Sequence, residues 1–137
     1  MKIYFCGSIG GGRQDDEIYA RLIEKLQTYG EVLTKHVGSK TVVQDEIDLT
    51  AKYIHDRDVR WLEESDVVVA EVTQISMGVG YELGRAAAMG MKILCLYRPS
   101  PDKRLSDMIA GAHNGTKFVV KNYTEEEAEQ IFKDFLI

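Results

Sequence analysis

Two acidic side chains and two glycine-rich segments carry most of the chemistry readable in this sequence. Glu82 lies in Ser76-Met-Gly-Val-Gly-Tyr-Glu-Leu-Gly-Arg85, which opens a helix shortly after the apolar run Asp66–Glu71. At about 100° per residue, Val79, Leu83, Ala86 and Gly90 form the inward face of that helix, and Glu82 falls roughly 60° from its middle. Its carboxylate can therefore stand at the edge of a crevice; equally, an acidic residue in a first turn is favoured by the helix's positive end. Asp58 sits at the centre of an apolar arc made by Ile47, Ala51, Ile54, Trp61 and Leu62. A buried carboxylate without a partner is costly. Asp58 thus requires either a structural role, accepting bonds from a helix end or pairing with Arg85 or Arg57, or a chemical task.

The other glycine-rich segment is Gly7-Ser8-Ile9-Gly10-Gly11-Gly12-Arg13, directly after the first apolar run. Glycines let backbone amides approach an anion, the following helix offers its positive end, and Arg13 supplies a forked donor. The segment is not a Walker loop, because Arg13 stands where Lys followed by Ser or Thr is needed, and it is not a GxGxxG fingerprint. A plain strand-to-helix turn is the alternative. Ser106, near another helix start, suits an anion or a simple cap. Tyr4 brings a phenol into the first strand, and a buried phenol needs a partner. The three histidines and two cysteines show no metal-ligand spacing, so neither a metal nor a cofactor is expected. Two carboxylates near an anion-binding loop suit substitution at an anomeric carbon, one as nucleophile and one handling the leaving group's proton.

These residues are positioned by alternating short apolar runs and longer amphipathic ones. Strands are expected at Lys2–Cys6, Glu31–His36, Asp66–Glu71, Lys92–Tyr97 and Lys117–Val120. Helices are expected over 14–29, with Ile18, Leu22, Ile23 and Leu26 inward and Gly30 closing it, and over 44–64, with a loop at Gly38–Val43 before it. Further helices are expected near 78–89 and 103–110, and a last one, capped by Thr124, ends near Phe135. His36 falls at the end of the second strand, where it can line a crevice. Near-continuous apolar strands such as DVVVA are covered on both faces, which implies a parallel sheet between helices. The expected architecture is one doubly wound, flavodoxin-like or Rossmann-like α/β domain over residues 1–137. Ligands in such a sheet bind beyond the carboxyl ends of the strands, where strand order reverses.

The chain has 137 residues, enough for one domain with a sizeable core. With 45% hydrophobic and 28% charged residues it has globular rather than disordered composition. A net charge of −5 argues against a general nucleic-acid or membrane-surface binder. No apolar run has the length of a membrane span, and the first residues read as a strand rather than a signal peptide. Cys6 and Cys95 lie in apolar runs without a CxxC pattern, as expected of reduced core residues in a cytoplasmic protein.

The quoted motifs resemble one known family. Tyr4-Phe-Cys-Gly-Ser-Ile-Gly-Gly-Gly-Arg13, Val32-Leu-Thr-Lys-His-Val37, Val69-Ala-Glu-Val-Thr-Gln74 and Ser76–Arg85 are similar to the 2′-deoxynucleoside 5′-phosphate N-hydrolases, within the nucleoside 2-deoxyribosyltransferase superfamily. Ile93–Leu96 and Leu105–Ile109 extend the match. The resemblance implies Glu82 as nucleophile on C1′, Asp58 assisting departure of the base, and Tyr4 orienting Glu82. It implies that Gly7, Ser8, Ile9, Gly10, Gly11, Gly12 and Arg13, with Ser76 and Gly78, hold the phosphate and sugar. Leu22 and His36 would lie near the base, and Ser106 and Met108 would enter the neighbouring site of a homodimer. Gly10 stands where the family often carries Arg, which removes one cation from the phosphate site. Two other readings are a deoxyribosyltransferase acting on unphosphorylated nucleosides and a non-catalytic nucleotide-binding domain.

Overall fold

Strand β1 (Lys2–Cys6) pairs on one side with β2 (Glu31–Val32) and on the other with β3 (Val67–Glu71). Strands β4 (Lys92–Tyr97) and β5 (Phe118–Asn122) complete the sheet, in the order β2-β1-β3-β4-β5 with every pair parallel. This is the topology of the computed structural model, which describes residues 1–137. From β1 the chain moves outward to β2 and then crosses back to β3. The reversal therefore falls between β1 and β3, and the crevice of a doubly wound sheet opens at their carboxyl ends.

The sheet separates two cores, because alternate residues of a strand point to opposite faces. Ile3, Phe5, Val67, Val69, Leu94 and Leu96 pack against helix α1 (Asp16–Leu26) and the C-terminal helix α6, which by chain order is the sixth helix (Ala128–Leu136). Tyr4, Cys6, Val68, Ala70, Ile93, Cys95 and Tyr97 face the opposite way. Leu62 of α3 (Ala51–Glu64) and Val79, Leu83 and Ala86 of α4 (Met77–Ala88) cover them. Helix α2 (Val42–Glu46) and helix α5 (Asp107–Ala110) are short elements on the connections. No helix is long and apolar enough to cross a membrane. Cys6 and Cys95 both sit beside Ala70, on strands either side of it. Two strand spacings put them roughly 9–10 Å apart, beyond disulfide reach.

Four expected elements are revised. The second strand stops at Val32 instead of reaching His36. The Thr34 hydroxyl accepts from the Phe5 amide at 2.8 Å and donates to the Phe5 carbonyl at 2.7 Å, replacing ladder bonds with side-chain bonds. The chain then turns through a 3-10 segment at Lys35–Gly38. The helix expected over 44–64 is two helices, because the Thr50 side chain accepts from the Tyr53 amide and starts α3 afresh. Ile47, 64% exposed, consequently lies outside the apolar arc. Helix α1 is shorter than the expected 14–29. The helix expected over 103–110 contains only Asp107–Ala110.

The final helix follows a 3-10 turn at Glu125–Glu127, where the Glu127 carboxylate accepts from the Thr124 amide at 2.9 Å. Thr124 stands at the N-cap position of this end, as expected, held there by the Glu127 side chain.

Candidate active site

The crevice between β1 and β3 is built by four segments. Glu82 enters it from α4, whose first turn is fixed by Ser76: the Ser76 hydroxyl accepts from the Val79 amide at 3.2 Å. That bond uses a lone pair and leaves the hydroxyl proton free for a ligand. One and a half turns later Glu82 is half-buried against β1, where it meets Tyr4 and Cys6. Burial pushes its pKa up to about 7; the Cys6 thiol and Tyr4 hydroxyl oppose that rise as donors, and the Asp58 charge adds to it. The Tyr4 phenol and Cys6 thiol are themselves held well above their ordinary values, chiefly by burial and then by Glu82. Both remain protonated donors at neutral pH.

Asp58 arrives from α3 and is half-buried. Its structural partner is Arg57, whose Nε donates to it at 2.9 Å, whereas Arg85 is directed instead to the Tyr81 hydroxyl. Burial raises the Asp58 pKa while Arg57 pulls it down. The Arg57 Nη2 also donates to Glu46 at 2.5 Å and to His36 Nε2 at 3.3 Å, and the guanidinium lies 4.9 Å from the Trp61 ring centre. His36 is thereby placed on the Asp58 side of the crevice, with its ring 5.6 Å from Trp61. Burial and the Arg57 charge both lower its pKa, so the imidazole is neutral. Glu46 was not singled out from the sequence, and Arg57 only as a partner for Asp58. The split between α2 and α3 is what folds Glu46 back onto α3.

The two glycine-rich segments meet. A Cβ on Gly11 would lie 2.7 Å from the Ile75 carbonyl oxygen and 3.3 Å from the Ser76 Cα, so only glycine permits this approach. Gln74 Nε2 donates to the Gly11 carbonyl at 3.1 Å and ties the loops together. Ser8 is fully buried beneath them, and its hydroxyl has no partner. Ile9 is half-buried, Gly10 and Gly78 are exposed, and Gly12 turns the chain at φ 129°.

Arg13 has a different task from the one expected. Nη1 donates to the Ser8 carbonyl at 2.8 Å, and Nη2 donates to the Val37 and Ser39 carbonyls at 2.8 and 2.9 Å. The fork is spent on the protein's own backbone rather than held out toward an anion.

Leu22 also departs from expectation: it is fully buried in the core between the sheet and α1, on the opposite face from Glu82. As a core residue of an inward stripe it has no route to a base. Ser106 and Met108 line a groove of about 340 Å³ together with Ser76, Met77, Gly80 and Tyr97. Gly80 is about 160° around α4 from Glu82, so this groove lies on the other flank of the helix. Within one chain, Ser106 and Met108 are not brought to Glu82.

Glu71, at the end of β3, is a buried carboxylate that the sequence did not flag as organising. It accepts from the Thr73 amide at 2.7 Å, Arg98 Nε at 3.1 Å and the Tyr123 hydroxyl at 2.6 Å. Arg98 reaches on to Asp15 at the start of α1. The network joins the carboxyl ends of β3, β4 and β5 to the start of α1.

A family model described as nucleoside 2-deoxyribosyltransferase matches residues 3–131. The chain is 57% identical over 137 residues to a 5-hydroxymethyl-dUMP N-hydrolase of Tetraodon nigroviridis, covering 98% of this chain and 96% of that one. It is 49% identical over 131 residues to the 5-hydroxymethyl-dUMP N-hydrolase of Homo sapiens, covering 94% and 75%. Among solved structures, a Clostridium botulinum CMP N-glycosidase, BcmB, superposes with a TM-score of 0.68 at 20% identity, over 98% of this chain and 99% of that one. At that identity the likeness carries the fold.

Proposed function

The chain belongs to the nucleoside 2-deoxyribosyltransferase family, and within it we propose an N-glycosyl hydrolase that cleaves 2′-deoxynucleoside 5′-monophosphates to free base and 2-deoxyribose 5-phosphate. The carrying observation is the half-buried Glu82, flanked by the Tyr4 and Cys6 donors and electrostatically coupled to Asp58. In this reading a Glu82 carboxylate oxygen attacks C1′ while the bond from C1′ to the base nitrogen breaks. The bond's electron pair leaves with the base, whose departure Asp58 assists. Water then attacks C1′ of the glycosyl ester, its proton passes through Asp58 to the base, and Glu82 is freed. Tyr4 orients the nucleophile, His36 lies toward the base, and Ser8, the glycines of the first loop, Ser76 and Gly78 receive the sugar and phosphate. Removing the 2′-hydroxyl takes an electronegative substituent away from the oxocarbenium-like centre, which suits a deoxynucleotide.

The site is completed in this reading by a homodimer, in which Ser106 and Met108 reach the neighbouring subunit's crevice. Its support is an apolar surface at the groove: Ile75 and Met108 are each 83% exposed and Met77 93%. Side chains of this size, gathered and uncovered, mark an association surface. We read the protein as cytoplasmic, in keeping with two free thiols.

Incubation with 5-hydroxymethyl-dUMP and with dGMP tests the activity, with release of base and 2-deoxyribose 5-phosphate as the expected outcome. A deoxyribosyltransferase acting on unphosphorylated nucleosides gains support from Arg13, whose donors are engaged within the protein. Equal rates with deoxyguanosine and dGMP would favour that second reading. Nucleotide binding without any base release over hours would leave a sensor.

A further inference from the structure

The backbone of Ser8 is held from both sides. Its amide donates to the Tyr19 hydroxyl at 3.1 Å, and its carbonyl accepts from Arg13 Nη1 at 2.8 Å. The two clamping groups also touch each other, with the Arg13 guanidinium 5.7 Å from the Tyr19 ring centre. Tyr19 is a fully buried residue of α1. Its ring packs so closely beneath the loop that a Cβ on Gly7 would stand 2.9 Å from it. Arg13 is anchored in turn by the Val37 and Ser39 carbonyls. Against this rigid backbone, the Ser8 hydroxyl is buried with no hydrogen-bond partner. Buried hydroxyls are nearly always paired, and an unpaired one carries a free-energy cost that an incoming acceptor removes. A Cβ on Gly11 would lie 3.0 Å from that oxygen, so the glycines form a thin cover over it, and nothing lies within 4 Å of a Cβ on Gly10.

We propose that Tyr19 and Arg13 clamp the Ser8 backbone so that its hydroxyl is a preset donor to a 5′-phosphoryl oxygen, which makes Tyr19 a positioning residue for phosphorylated substrates. The inference rests on the hydrolase reading above and deepens it. It assigns phosphate selectivity to a neutral donor held in place rather than to a free cation, since the Arg13 fork is consumed in the clamp. The phosphoryl oxygen displaces the glycine cover and takes the place of the missing partner. Burial pushes the Tyr19 phenol up to about 12, so it stays neutral and keeps its role across the working pH range.

The test compares 5-hydroxymethyl-dUMP with its unphosphorylated nucleoside in wild type, Tyr19→Phe, Ser8→Ala and the double variant, and measures competitive inhibition by inorganic phosphate. Tyr19→Phe keeps the ring and removes only the hydroxyl. The expected result is a KM for the monophosphate raised about tenfold, with most of the loss in KM rather than kcat, and a parallel weakening of phosphate inhibition. Ser8→Ala produces a similar loss, and adding Tyr19→Phe to it costs little more, because Tyr19 acts through Ser8. Arg13→Lys keeps the charge but loses the fork, and it also raises KM; an Arg13 acting as a simple phosphate cation would tolerate Lys.

Additive losses, an equal loss on both substrates, or an unchanged KM in Tyr19→Phe overturns the clamp. Should Tyr19→Phe fail to fold, Ser8→Ala decides, and retained phosphate selectivity overturns the proposal. A wild type that cleaves nucleoside and nucleotide equally overturns the phosphate reading itself. Preserved wild-type selectivity with an unaffected Tyr19→Phe overturns the clamp alone.

Discussion

Tyr4 on β1 and Glu82 on α4 form a donor–carboxylate pair across the crevice, with the phenol lowering the pKa that burial raises. A nucleophile with a pKa of about 7 must be ionised to attack. The kcat/KM profile therefore rises with pH through about 7 on its acidic limb. Tyr4→Phe removes a donor to the charged form, so that limb moves to higher pH. Asp58→Asn removes a neighbouring negative charge, so in the residual activity the limb moves to lower pH. Opposite displacements in the two profiles are the expected outcome; displacement in one direction would separate these residues from Glu82.

In the proposed mechanism Glu82 is the attacking group, and Glu82→Gln replaces its carboxylate with an amide of nearly the same shape. Turnover should fall by at least about a thousandfold while the protein stays folded, as for loss of a covalent nucleophile. Single-turnover base release and a thermal melt check both halves of that statement.

Arg57 holds His36 and Asp58 on one guanidinium. Arg57→Gln removes the cation that lowers the His36 pKa, so the imidazole should titrate at higher pH, while burial still keeps it below an exposed histidine. Asp58 loses its Nε partner and its pKa rises further. Imidazole proton shifts followed by NMR read the first effect, and an unchanged His36 titration would mean that the Arg57 contact does not act on it.

Glu71→Ala leaves Arg98 Nε, the Tyr123 hydroxyl and the Thr73 amide without their common acceptor. The loss of one partner from a buried charged network should lower unfolding free energy by about 3–5 kcal/mol. Urea denaturation measures it. A cost below about 1 kcal/mol, the scale of an exposed ion pair, would show that the network is solvated in practice.

Met77→Asp places a charge on the exposed apolar surface beside Ser106 and Met108. If that surface joins two subunits, sedimentation velocity should show a dimer for wild type and a monomer for the variant, with activity falling alongside. A wild-type monomer with full activity would remove the partner subunit from the site.

The parallel sheet was legible because β3 and β4 carry unbroken apolar runs, Val67–Ala70 and Ile93–Leu96, as strands buried on both faces do. The strand–helix alternation likewise located Glu82 on α4 and the first glycine loop after β1. The second strand was overestimated, since apolar periodicity cannot show that Thr34 satisfies Phe5 with its side chain. The break between α2 and α3 was missed because the heptad-like pattern runs through Thr50, whose capping bond depends on local backbone geometry. Leu22 was assigned to the ligand by resemblance, although its own place on the inward stripe of α1 already pointed to the core.

The sequence alone determined the alternation of elements and the carboxylate at position 82, because periodicity and strand burial are local consequences of residue order, whereas the strand order and its switch point came from tertiary pairing. Only the tertiary structure decided what each polar group does. It brought Cys6 to Glu82, Glu46 to Arg57 and the Arg13 fork to three carbonyls. Hydrogen-bond partners are chosen by distance and direction after packing, and partners 5 to 76 positions apart in the chain share no periodic spacing that would reveal the choice.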